Sequence, residues 1–330
     1  MLRKTFTKPF FLLFFIILSL SAEATTYYVS NSGNDNNSGT SASSPWQTLN
    51  KVNSFKKFAP GDNILFNRGN TFYGSITISN SGSSGNPITY GAYGSGAKPV
   101  ITGFTTVTSW SNLGGNIWES SSAVSTLATC NMVSVNNVNT PMGRYPNTGY
   151  FQFQSHSGNT TITSSSLTGS TNWTGASIAI KKQRWYIERG TITGQSGTTL
   201  TYTDGKQYVP QDGWGFFILN DPRTLDQQNE WYYNPSTKKV RIYSTSQPAN
   251  VKLTTVENIF DNSANCKYIT IDNIAITGAN SNLINGSYGQ NATVTNCDLS
   301  YAGISGIDIN SLAPTFVGNT INNTGYNGIY

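Results

Sequence analysis

Asn273, Asn296 and Asn319 stand 23 and 23 residues apart, and Ile271, Val294 and Val317 precede them by two places. Leu283 and Ile284 recur 23 residues on as Gly306 and Ile307, and these recur after 22 as Gly328 and Ile329. A repeat constrains the fold strongly, because a unit of about 22 residues cannot bury an apolar face alone. Within a unit, Ile269 and Ile271, then Ile274 and Ile276, alternate with other residues on either side of Asn273. That is the period of a strand broken by a bend. Three short strands per unit must stack on the neighbouring units, each turn advancing about 4.8 Å. The prediction is a parallel β-solenoid with Ile, Val and Leu in interior rows. The asparagines are expected to stack at a bend, their amides bonding up the ladder.

Earlier coils follow from the same arithmetic. Ile64 and Phe66 recur 24 residues later as Ile88 and Tyr90, and Ile76 and Ile78 recur as Val100 and Thr102, so two turns precede residue 103. Before them Leu49, Val52, Phe55 and Phe58 fall at helical spacing, with Ser43 or Ser44 and Pro45 as the opening signal. A short amphipathic helix there would cover the open end of the apolar rows.

Arg3, Lys4 and Lys8, the apolar run Phe10 to Leu20 and the small-residue stretch Ala22, Glu23, Ala24 read as a secretory signal over 1–24. The run is too short to span a bilayer, so no membrane association is expected after cleavage. Without those residues 17 basic face 14 acidic side chains, a net +3 too scattered to argue for nucleic acid. It is compatible with a polysaccharide partner, neutral or acidic, and does not discriminate between the two. Charged residues are 11% of the chain, but 12% aromatics and many β-branched runs favour folding over disorder. Cys130, Cys266 and Cys297 form no disulfide framework and read as small apolar fillers. With His156 as the sole histidine, a zinc site or a Ser-His-Asp triad has little to work with.

The opening "YYVSNSGNDNNSGTSASSPWQTLNKV" and "PGDNILFNRGNTFYGSITI" resemble the start of secreted right-handed parallel β-helix proteins of the pectate-lyase-like superfamily. Gly33, Asp35, Gly39, Ser44, Pro45, Pro60, Gly61 and Asp62 match that pattern. The resemblance covers roughly 26–103 and 253–330, and speaks to fold more than to activity. It implies an all-β chain: a right-handed parallel β-helix with an N-terminal capping helix and an inserted β-sandwich-like domain, irregular extra coils being the alternative for the insertion. Cap and first coils are expected over 25–103, the β-rich insertion over 104–250 and further coils over 251–330. Six of seven tryptophans fall in the insertion. "VSVNNVNTPMGRYPN" and "NDPRTLDQQNEWYYNPSTKKVRIYS" resemble the insertion of a subset of these proteins, several of them glycoside hydrolases. "NTGYNGIY" stops in mid-coil, which reads as a fragment of a longer protein.

From Tyr268 onward there is no Lys, Arg, Glu or His, and the only carboxylates are Asp272, Asp298 and Asp308. Alternation points Asp298 and Asp308 outward. Glycoside hydrolysis needs two carboxyl groups roughly 5–9.5 Å apart, a distance that outward Asp residues on stacked coils can meet. These three are the catalytic candidates, with solvated or turn-bonding aspartate as the plainer reading. In the insertion Arg144, Tyr145, Arg223, Glu230 and Trp231 are candidates for sugar binding, because aromatic faces stack on sugar rings and Arg pairs with uronic carboxylates. Core and turn roles are the alternative for them. The loop "SGNDNNSG" lacks the closing Glu and spacing of a calcium loop, so no cofactor is expected, Ca²⁺ alone being left open. The chain reads as a monomeric, secreted or cell-surface, carbohydrate-active protein. A hydrolase is favoured over a polysaccharide lyase and over a non-catalytic glycan-binding or adhesion module.

Overall fold

In a computed structural model of the chain, residues 23–169, 171–203 and 208–330 are described, positions 287 and 288 by backbone alone. The signal segment lies, up to residue 22, outside the described residues. Three parallel sheets wall a right-handed β-helix. The first stacks Thr26–Val29, Asn63–Asn67, Ile88–Tyr93, Ile269–Asp272, Thr293–Thr295 and Thr315–Val317. The second stacks Thr71–Tyr73, Val100–Thr102, Ala275–Ala279, Asp298–Ala302 and Thr320–Thr324. The third stacks Ile76–Thr77, Phe260–Asn262, Ile284–Gln290, Ser305–Leu312 and Asn327–Ile329. After the opening strand Thr26–Val29, each coil takes one strand from each sheet in turn.

Alternation turns one side chain in two inward, so register aligns the apolar residues into rows. Tyr27, Ile64, Tyr90, Ile271, Val294 and Phe316 form the first row. Phe72, Ile101, Ile276, Leu299 and Ile321 form the second, and Ile76, Phe260, Ile284, Ile307 and Ile329 the third. All but the half-exposed Ile329 meet in one core. Each fully buried member contributes about 1.5–3 kcal/mol.

Three expectations need correction. Ile64 pairs with Tyr90 rather than Ile88, and Ile76 stacks under Phe260 while Val100 lies over Thr71. The first of these is a shift of two residues, which keeps each apolar side chain on its face, so periodicity alone does not distinguish those registers. Val100 instead lies on the outward side, and its neighbour Ile101 fills the inward row over Phe72. Asn273 and Asn296 do occupy one left-handed bend position, with φ of 60° and 52°, but Gly318, φ 69°, takes that place in the next coil. Asn319 sits one residue on, in line with Ile274 and Cys297, its side chain accepting from Cys297 N and donating to Val294 O at 2.9 and 2.8 Å. The helix is Leu49–Ser54, capped by Thr48, whose hydroxyl accepts from Lys51 N, and not by Ser43 or Ser44. Leu49 and Val52 are buried, and Phe55 and Phe58 pack with Tyr27 and Trp46 over the end of the rows.

The second coil is interrupted. Its second-sheet strand ends at Thr102 and its third-sheet strand begins at Phe260. Between them run antiparallel sheets, from Phe104–Val107 to Val251–Thr254, with two apolar cores of their own. The excursion closes where Thr255 N donates to Gly103 O at 2.8 Å. It leans on the corner between the second and third sheets: Asn131 N donates to Asn280 Oδ1 at 2.8 Å, and Tyr301 hydroxyl donates to Asn137 O. At Gly303 an added Cβ would fall 2.1 Å from Asn280 O and 2.6 Å from Asn131 Cβ, so the insertion approaches there only because no side chain intervenes.

Candidate functional site

The outer face of the third sheet gathers polar side chains in register. Phe260, Ile284 and Ile307 point inward, and the next residues, Asp261, Asn285 and Asp308, therefore point outward and stack. Asn285 Nδ2 donates to Asp261 Oδ1 at 2.8 Å, and Ser263 hydroxyl donates to Asp261 Oδ2 at 3.2 Å. Asn282 Nδ2 donates to Asp308 Oδ2 at 3.1 Å, while Asn282 Oδ1 accepts from Ser305 N and Asn258 Oδ1 accepts from Asn282 N, both at 3.1 Å. At the adjoining corner Glu257 Oε2 accepts from Asn280 Nδ2 at 2.9 Å. Asp261 and Asp308 lie two strand steps apart, about 9.5 Å at 4.7–4.9 Å per step.

The three carboxylates expected to be catalytic are not brought together. Asp272 closes a first-sheet strand and accepts from Thr295 Oγ1 and Asn296 Nδ2 at 2.7 and 2.9 Å. Asp298 opens a second-sheet strand and pairs with Lys98 at 2.8 Å, an exposed pair of little energetic weight. Only Asp308 faces another outward carboxylate of the same column. Asp261 precedes Tyr268 and so falls outside the terminal stretch that supplies the three sequence candidates. Its signal was present: Asp261, Asn285 and Asp308 are spaced by 24 and 23, the repeat itself.

The five insertion candidates scatter as well. Arg144 and Tyr145 are neighbours on one strand and so face opposite ways. Tyr145 stacks on Trp173, with ring centroids 5.4 Å apart, and lines a cleft of about 360 Å³ with Arg223, Asp226, Gln195 and Thr171. Arg223 lies over Trp173 at 4.9 Å, and its Nε and Nη2 each donate to Asp221 at 2.7 Å, which raises its already high pKa. Glu230 is buried and its carboxylate accepts from Asp226 N and Gln227 N. Burial pushes its pKa up against those bonds. Trp231 is 2% exposed and donates to Thr140 O, so its ring is core and offers no sugar platform.

His156 Nδ1 meets Asp212 at 2.6 Å on the surface, and among the described residues no serine bonds to the ring. Asp35 is occupied by Gln47 N, Thr48 N and Thr48 Oγ1. Among the described residues no cluster of three His, Cys, Asp or Glu side chains is arranged for a metal ion, and no helix is long and apolar enough to cross a membrane.

No protein-family model matches the sequence. A lacto-N-biosidase of Bifidobacterium longum subsp. longum is 40% identical over 87 residues, which are 24% of this chain and 5% of that protein. Among solved structures, one described as a glycoside hydrolase superimposes with a TM-score of 0.63 at 15% identity, over 87% of this chain and 67% of that one. The complex of XylC with xylose gives 0.51 at 18% identity, over 88% of this chain and 42% of that one. At such identities the structural likeness concerns the fold.

Proposed function

We propose that this chain is secreted, monomeric and carbohydrate-active and carries a glycoside hydrolase centre on the third sheet, with Asp261 and Asp308 as its carboxylate pair. The observation that supports it is the in-register column Asp261, Asn285, Asp308. Two strand steps, about 9.5 Å between backbones, suit the wider carboxyl separation of roughly 6.5–9.5 Å that leaves room for an attacking water. Asp261 accepts on both oxygens and takes the ionised, base role. Asp308 accepts on Oδ2, leaving Oδ1 to carry the proton given to the leaving oxygen. Asn285 between them is placed to hold a sugar hydroxyl, and the cleft of Tyr145 and Arg223 is a second place for glycan contact. Lacto-N-biosidase similarity, though short, is to an enzyme whose name denotes oligosaccharide cleavage.

A lyase would need a base beside a uronic carboxylate, and this column offers carboxylates and amides instead. The test is turnover of a panel of neutral oligosaccharides and polysaccharides, following reducing ends, ultraviolet absorbance and the anomer first formed. Expected are reducing ends without absorbance, inversion at the anomeric carbon, and a loss of roughly 10²–10⁴-fold in Asp261→Asn and in Asp308→Asn. Full activity in either variant, an absorbing product, or no cleavage of any substrate would overturn the proposal.

A further inference from the structure

The insertion's eight-stranded sheet has a face turned away from its apolar core. On Ser177–Gln183, Ile178 and Ile180 enter that core, so Ala179 and Lys181 point the other way. They line a cavity of about 370 Å³ with Arg144, Tyr150, Trp214 and Phe217 among its walls, a volume within the range of small-ligand sites. We propose that this cavity binds a hexuronate residue of an acidic glycan, its carboxylate held by Lys181 and Arg144 and its ring laid against Tyr150.

The cations and rings are held in place before any ligand arrives. Lys181 Nζ lies 4.0 Å over the Trp214 ring, whose indole N–H is fixed by Gln211 Oε1 at 2.9 Å. Arg144 lies 3.8 Å over the Phe217 ring, with Nε donating to Pro146 O at 3.0 Å and Nη2 to Gly149 O. Its Nη1 makes no bond among the described residues. Tyr150 is 63% exposed, yet its ring rests on the Gly215 backbone, where an added Cβ would fall 2.3 Å from it. That flat, accessible ring suits the C–H face of a sugar.

Charge identifies the ligand class. No carboxylate lines the cavity, and among the described residues none pairs with Lys181. The carboxylate that acts on Arg144 is Glu230, already committed to the N–H groups of Asp226 and Gln227. The cleft of Tyr145 differs, because its Arg223 is neutralised by Asp221 and Asp226 stands in its wall. Two cations beside apolar rings in a site without anions match a ring that carries one carboxylate. This site is separate from the third-sheet column, and its test reads binding rather than turnover.

The full chain is titrated with trigalacturonate and with its methyl ester, which keeps rings and hydroxyls but removes charge. Trigalacturonate is expected to bind with a Kd below about 10 mM and the ester at least about tenfold more weakly. Lys181→Gln should cut the difference between acid and ester at least about threefold, Arg144 keeping the remainder, and Lys181→Arg should restore it. Tyr150→Ala should weaken both ligands. Near-ultraviolet circular dichroism confirms that the variants keep their tertiary packing. Equal affinity for acid and ester, no binding of the acid at that concentration, or unchanged discrimination in Lys181→Gln would overturn the proposal.

Discussion

Cys130 and Cys297 are free, buried thiols, each pushed up to about 11 by burial, which penalises the thiolate. In the unfolded chain they lose their protons near 8.5–9. Between that pH and about 11 the unfolded state therefore holds fewer protons than the native one, and stability falls as pH rises. Their contribution is intact below pH 9 and is lost through pH 11, on the order of 2 kcal/mol per thiol. Chemical denaturation at pH 8 and pH 10.5 should show this fall, and a Cys297→Ala, Cys130→Ala double variant should flatten it. An equal fall in the double variant would assign it to other groups, such as Tyr90, whose pKa burial also raises. Filler roles for these cysteines were legible because each sits among β-branched residues in the sequence. Glu230 and Trp231 were not legible: adjacent chemistry-bearing residues in "NEWYY" look alike whether they face a cleft or a core.

At the scale of one strand, Asp298–Ala302 separates inward from outward by single residues. Leu299 is fully buried in the second row, between Ile276 and Ile321, while its neighbour Ser300 turns out and bonds Thr277 Oγ1 at 3.1 Å. Leu299→Ala should cost about 2–5 kcal/mol through lost transfer energy and the cavity left behind. Ser300→Ala, which gives up one partly exposed hydrogen bond, should cost about 1 kcal/mol or less. Urea denaturation of the two variants checks the contrast, and similar costs would mean that the strand is not held by this row. Alternation made the strands and their inward residues readable, since a wrong register by two preserves it. It could not tell Ile64 over Ile88 from Ile64 over Tyr90, nor show that Ile76 waits for Phe260 beyond the insertion. Those pairings depend on where the chain leaves and rejoins the coil, which no local period encodes.

Across the whole molecule, stability depends on how the solenoid and the insertion hold each other. Asn280 is fully buried at their junction, its Oδ1 accepting from Asn131 N and Thr254 Oγ1 and its Nδ2 donating to Glu257. Truncation to alanine leaves the Asn131 N–H and the Thr254 hydroxyl without that acceptor and removes a donor from the Glu257 carboxylate, at about 1–3 kcal/mol for each group left buried and unsatisfied. Because the insertion has its own apolar cores, the loss should fall on coupling more than on either part. The tryptophans supply separate readouts: Trp46 alone reports the solenoid, and the other six report the insertion. In the parent chain, thermal unfolding followed by tryptophan emission and by far-ultraviolet circular dichroism should coincide. In Asn280→Ala the two transitions should separate, the insertion losing its docked state first, and glycan turnover should fall with it because Glu257 and the third-sheet column adjoin that corner. Coincident transitions with an unchanged midpoint would show that the two parts are held together elsewhere, at contacts such as Tyr301 with Asn137 and Phe104.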